Sequence, residues 1–304
     1  METFGDKLYD RSFNARNLLF LQGEVAQLTF QSFHKYKELI NELADDVITL
    51  KYPIGLRPDG ITIEGKSDYS KETLIERYDF LASFQLPING IYQLVTIVEA
   101  YLSDIIRDIL TQFPAKIPSK KKLDVELVLG AESLDEIKSV IINIVLNELA
   151  YKSPKDFADE FMKYTGINLL EKPVFHRYIE LKATRDIYIH NQGEANSIYS
   201  SKADTLARVK VGQYLPVTIH YFLQSYEACI QLTELLEEEF NNIWPSLKYQ
   251  QFKGKGSEDQ KEQAVEQAIE FAEAAVAEAE VAEVSKGRDH TIKKGVKKKA
   301  IAKN

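Results

Sequence analysis

The sequence holds one cysteine in 304 residues, Cys229, which excludes an internal disulfide framework and a zinc site built from cysteines. An aromatic-rich helical pattern surrounds it and assigns it to core packing. The five histidines are scattered, with no HExxH and no Cys/His clustering, so no metal and no cofactor is expected. No uninterrupted apolar run approaches the ~20 residues of a transmembrane helix. The opening METFGDKLYDRSFNAR lacks a signal-type apolar segment. The expectation is a cytoplasmic protein with no membrane partner. A basic excess is missing too: 38 Lys and Arg stand against 46 Asp and Glu, net −8, which excludes indiscriminate coating of nucleic acid. Any RNA contact must be local.

What is present is enough apolar and aromatic content, 44% and 11%, to pack the core of one large or two modest domains. Helical periodicity dominates. From about Asn17 to Ile48, apolar residues recur at Leu18, Leu21, Val25, Leu28, then Tyr36, Leu39, Leu43 and Val47, with Ser32 in the same series, predicting one long amphipathic helix. KYPIGLRPDGITIEG follows, and its Pro58-Asp59-Gly60 turn beside Ile61, Thr62 and Ile63 predicts a small inserted hairpin, the one strand signal in the chain. A helix over 70–83, a break at LPING, and a helix from Ile91 to Phe113 come next. Leu94, Val98, Leu102, Ile105 and Ile109 line one side of that helix and mark it as the bundle centre. Glu99 lies within it and needs a partner, or supports a polar site.

Ser133 and Glu136 have capping-box spacing for a helix to about Ala150. Ser153-Pro154 and Gly166 bound another, Pro173 opens the next, Gly193 lies just past its end, and Pro216 opens a last helix through Trp244. That makes six or seven helices. Residues 256–284 then carry nine acids and one lysine, and 285–304 carry eight Lys or Arg and one Asp. This predicts a disordered acidic-then-basic tail over 250–304. The basic end is a solvated terminus or a contact for RNA or an acidic surface.

The most specific stretch is KATRDIYIHNQGEAN, residues 182–196. On a helix turning ~100° per residue, Arg185 and His190 point about 140° apart. Asp186 and His190, at i and i+4, are expected to pair, fixing the imidazole tautomer. Arg185 shares a stripe with Val174, Tyr178, Leu181 and Tyr188, so its guanidinium needs a partner, Glu180 or Glu99, or an anion in a cleft. One histidine, one fixed cation and no metal ligands suit acid/base cleavage of a phosphodiester. The RNA 2′-hydroxyl attacks, His190 moves a proton and Arg185 stabilises the phosphoryl charge. Two copies across a two-fold axis would let Arg and His of different chains converge.

Glu180-x4-Arg185-Asp186-x3-His190-Asn191-x-Gly193, followed by Asn196 and Tyr199, resembles the R-x4-6-H motif of the HEPN superfamily, of the kind found in RiboL-PSP and abortive-infection ribonucleases. The resemblance covers roughly 85–245. It implies an all-α fold, an up-and-down helical bundle over 85–249, with 1–84 an additional N-terminal helical part carrying the hairpin. It also implies a homodimer acting on RNA as a metal-independent endoribonuclease in a toxin–antitoxin, abortive-infection or phage-defence setting, with an antitoxin or regulatory partner. Arg185 and His190 match the family's catalytic pair. Asp186 matches its modulating polar position, where asparagine is frequent, and Asn191, Glu180 and Tyr199 stand as supporting residues. Two other readings share the same residues. One is a non-catalytic HEPN-type interaction or regulatory module. The other is an unrelated helical scaffold whose helix ends in ordinary fashion, with His complementing the dipole before a glycine cap. His34, His176 and His220 are read as packing or surface residues, and His290 belongs to the tail.

Overall fold

Thr3 starts the first helix. Its hydroxyl accepts from the Asp6 N–H at 3.0 Å and the Asp6 carboxylate accepts from the Thr3 N–H at 3.0 Å, so two of the donors that a helix start leaves orphaned are satisfied at once. The computed structural model describes residues 2–118 and 125–253. Within them, α1 spans Phe4–Glu42, so it begins well before Asn17 and ends before Val47 and Ile48. Those two residues belong instead to β1, Val47–Leu56, which pairs antiparallel with β2, Thr62–Ser70, and the Val47↔Ser70 and Ile48↔Tyr69 pairings claim them for the sheet. The hairpin expected around Pro58-Asp59-Gly60 is present. The Gly60 N–H closes the turn on Arg57 O at 2.9 Å with φ +82°, a conformation that only glycine adopts cheaply.

The expected break at LPING is absent. Helix α2, Lys71–Phe80, runs through a π-helical turn, Leu81–Gln85, directly into α3, Leu86–Gln112. Pro87 has no N–H to give, and the wider turn, in which Leu86 N–H bonds back to Leu81 O, absorbs it without ending the helix. The continuous stretch Lys71–Gln112 is long and apolar enough to cross a membrane, with mean hydropathy 1.3 over an 18-residue window of which 33% is buried. In the fold, Leu94, Val98, Leu102, Ile105 and Ile109 of α3 are at the centre of the core, as their spacing predicts.

Among the described residues the remaining helices are α4 (Val125–Gly130), α5 (Leu134–Ala150), α6 (Pro154–Thr165), α7 (Pro173–His190), α8 (Ser197–Ala203), α9 (Ile219–Ile243) and α10 (Leu247–Lys253). The short α4, α8 and α10 raise the number above the six or seven expected. Ser133 Oγ accepts from Glu136 N–H at 3.1 Å as the capping-box spacing requires, but the Glu136 carboxylate reaches the Glu132 N–H rather than that of Ser133. Gly166 caps α6 at φ +84°. Helix α9 begins at the Thr218 cap rather than at Pro216. The described protein is 74% helical and 9% strand, which makes it all-α with one small hairpin.

Helices α1, α3 and α9 pack on one another, α7 lies against α3 and α9, and α5 and α6 lie against α3. One compact unit ends at Tyr249, and Leu8, Ala15, Leu19 and Ala26 of α1 share a single core with α3, α5, α6, α7 and α9. Residues 1–84 are thus continuous with the 85–249 bundle. Buried Asp108 of α3 fastens the two halves, accepting from Arg11 Nε at 2.8 Å and pairing with Lys7 at 2.9 Å. Arg16 meets Glu237 of α9 at 2.5 Å, and Asp6 Oδ1 accepts from Ser246 Oγ at 2.7 Å and the Lys248 N–H at 3.1 Å. Cys229 is fully buried in this core, and burial pushes its thiol pKa up. The acidic and basic tail segments, 256–304, lie outside the described residues.

Candidate functional site

Helix α7 carries most of the residues singled out in the sequence, and it distributes them over three environments. Its inward stripe, Val174, Tyr178 and Leu181, is buried, as the spacing predicts. Arg185 continues that stripe to the protein surface, where its Nη2 donates to Glu99 Oε1 at 2.8 Å, and Lys182 meets the same carboxylate oxygen at 2.6 Å. Glu99 is therefore the partner of Arg185, and Glu180 is not. Arg185 Nε lies 3.2 Å from Asp186 Oδ1, but off the N–H axis, so that buried atom forms an ion pair without a hydrogen bond.

The Asp186–His190 pair expected from i, i+4 spacing does not form. Asp186 is drawn sideways, with Oδ1 toward Arg185 and Oδ2 accepting from Lys202 of α8 at 3.2 Å, so both carboxylate oxygens are held by cations and none is left for the imidazole. His190 is exposed at the last position of α7. It lines an open hollow of ≈ 500 Å³ with Asn191, Gln192, Glu194, Gly212 and Tyr214. Asn191 caps the helix, its N–H bonding to Ile187 O at 2.8 Å and its side-chain amide to the Glu194 carbonyl. Gly193 takes φ +87°, and a Cβ there would lie 2.6 Å from the Tyr214 ring. Residues 193–195 then pair with 212–215 through Leu215 N–H to Gly193 O at 2.8 Å and Ala195 N–H to Gln213 O at 2.9 Å, which builds the hollow's floor.

Glu180 and Tyr199 form a third, buried environment. Glu180 Oε1 accepts from Thr184 Oγ1 at 2.8 Å, Tyr199 Oη at 2.9 Å and Arg208 Nε at 3.1 Å, and Oε2 accepts from Tyr221 Oη at 2.7 Å. Arg208 also donates to Pro216 O at 2.5 Å, and its guanidinium lies 3.5 Å from the centre of the Tyr221 ring. Burial works against the Arg208 charge, but Tyr221 and Glu180 more than offset it and hold its pKa above the ordinary value. Burial, reinforced by Glu180, keeps Tyr221 protonated far above its usual range. The network ties the 193–217 connection, which lines the hollow, to α7.

Arg208, Tyr221 and Tyr214 carried no signal in the sequence. The first lies in a connection without periodicity, and the two tyrosines read as ordinary helix and loop residues. Thr184 was missed as well, although its i+4 spacing from Glu180 was a signal for it. Within one chain the structure thus joins Glu180 to Tyr199, and Arg185 to Asp186, and leaves His190 apart with Asn191. His34, His176 and His220 are exposed, and His176 Nε2 contacts Leu170 O at 2.8 Å. Among the described residues no group of three or more His, Cys, Asp or Glu is arranged to hold a metal ion. Comparison of the chain with protein-family models, with curated proteins and with solved structures gave no match.

Proposed function

We propose that the chain is a metal-independent endoribonuclease of HEPN type, working as a homodimer in the cytoplasm and serving a toxin–antitoxin, abortive-infection or phage-defence role under a restraining partner. The observation that supports it is the exposed imidazole of His190 on the wall of an open polar hollow, held by a capped helix end and a glycine turn. In the proposed step the RNA 2′-hydroxyl loses its proton to one His190 and attacks the adjacent phosphorus. The P–O5′ bond breaks, and the leaving 5′ oxygen takes a proton from the His190 of the second copy. The products are a 2′,3′-cyclic phosphate and a 5′-hydroxyl, and Arg185 offsets the charge on the phosphoryl oxygens. Because Arg185 sits with Glu99 on another side of α7, the two residues act together only across copies.

That same Glu99 pairing favours a second reading, a non-catalytic interaction or regulatory module, since a guanidinium already satisfied within its own chain has less charge to offer a phosphate. RNA cleavage with EDTA present separates the two. The nuclease reading expects cyclic-phosphate products from wild type, loss of about a hundredfold or more in Arg185→Ala and in His190→Ala, and unchanged helicity. An intact RNA mixture with wild type, alone and after release from any co-purifying partner, hands the site to the second reading.

A further inference from the structure

The apolar residues that the three-and-four spacing picks out on α1 face away from the core. Leu18, Leu21, Val25 and Leu28 in one half and Tyr36, Leu39 and, at the C-cap, Leu43 in the other are each 38–56% exposed, while Leu8, Ser12, Ala15, Leu19, Ala26 and Ile40 are among the residues that α1 buries. At ~100° per residue the exposed set centres about 115° from the buried one, so it forms a second apolar face rather than the rim of the first. Of the seven, Tyr36 also leans on a ring of the chain's own, Tyr78 at 5.2 Å. Contiguous exposed apolar stripes of this kind mark association surfaces.

We infer that this face pairs with the same face of a second copy, antiparallel, about a two-fold axis near residue 30. The spacing reads alike from both ends. Antiparallel pairing about that point sets Leu18 against Leu43, Leu21 against Leu39, Val25 against Tyr36 and Leu28 against Ser32, so every large side chain but Leu28 meets another large one and the small serine receives Leu28. The flanks agree. Glu24 and Lys35 lie on the same edge of the stripe, and in an antiparallel pair same-edge residues face each other, bringing Glu24 to Lys35 of the second copy on both sides of the axis. A parallel pair would bring opposite edges together and give Glu24 and Lys35 no such contact. About half of each of seven large side chains is on the order of 600–700 Å² per copy, close to the roughly 800 Å² each partner gives a standard stable interface. The pairing stands whether or not α7 cleaves RNA.

Sedimentation equilibrium of the full chain tests it. The expected mass is twice 34.7 kDa, or a higher even multiple where the α7 surfaces pair as well. Leu21→Glu with Leu28→Glu should weaken the dimer at least about a hundredfold in Kd with helicity unchanged, since each removes a leucine from burial and leaves a charge in its place. Register is read by disulfide trapping, because Cys229 is fully buried and added thiols are the reactive ones. Leu28→Cys mixed with a size-tagged Ser32→Cys should form mainly the mixed disulfide. A monomeric wild type at tens of micromolar, a double-glutamate variant that keeps the wild-type mass, or a preference for self-disulfides would each overturn the inference.

Discussion

Arg208→Ala is the perturbation whose cost the structure sets most clearly. Breaking one partner of a buried ion pair typically costs about 3–5 kcal/mol, because the other charge is left in a poor solvent. Here the figure falls at the low end or below it. A quarter of the Arg208 side chain (25%) is exposed, and Glu180 keeps the hydroxyls of Thr184, Tyr199 and Tyr221. About 2 kcal/mol is expected from the pair, and about 1 kcal/mol more from the lost contact with the Tyr221 ring. A total of about 3 kcal/mol should lower Tm by about 6–12 °C in a domain of this size. Circular dichroism melts of wild type and Arg208→Ala measure it. A cycle of Arg208→Met, Glu180→Gln and the double variant should give a coupling of about 2 kcal/mol. Hydrogen exchange should also rise over 193–217 while α3 is unchanged, because Arg208 fixes that connection through Pro216 O. A Tm within 1 °C of wild type, or zero coupling, would refute the claim that this network anchors the loop.

Gly193→Ala should cost about 1–3 kcal/mol in chemical denaturation, since alanine meets both φ +87° and the Tyr214 ring; a neutral effect would mean the helix end can re-form elsewhere. Asp6 yields a pH signature. Its bond from the Thr3 N–H, with burial opposing and Ser246 and Lys248 adding to it, holds its carboxyl well below the usual carboxylate range. A pKa depressed on folding contributes stability that is full above about pH 4 and is lost as pH falls below it. The Tm gap between wild type and Asp6→Asn should therefore be constant from pH 7 to 5 and shrink below pH 4, and a gap independent of pH would place the effect outside the ionised carboxylate.

Periodicity, caps and turn residues are local, and they were legible. The α3 core stripe, the Ser133 and Ser153 caps, the Gly166 stop, the start of α7 at Pro173 and the hairpin at Pro58-Asp59-Gly60 all follow from residues within a few positions of one another. The reading of LPING failed because a proline's effect depends on whether the preceding turn can widen. The Asp186–His190 pair failed because spacing allows a contact without choosing among competitors, and Lys202 arrives from another helix.

By itself, the sequence determined that the chain is helical, that Cys229 is core, that Arg185 and His190 leave one helix in different directions, and that α1 has a long apolar stripe. Only the tertiary structure decided which side of α1 is buried, that Glu99 takes Arg185, and that Glu180 belongs to Arg208 and two tyrosines rather than to Arg185. Helix formation depends on neighbours a turn away, whereas a charge's partner depends on which helices the whole core brings within about 3 Å.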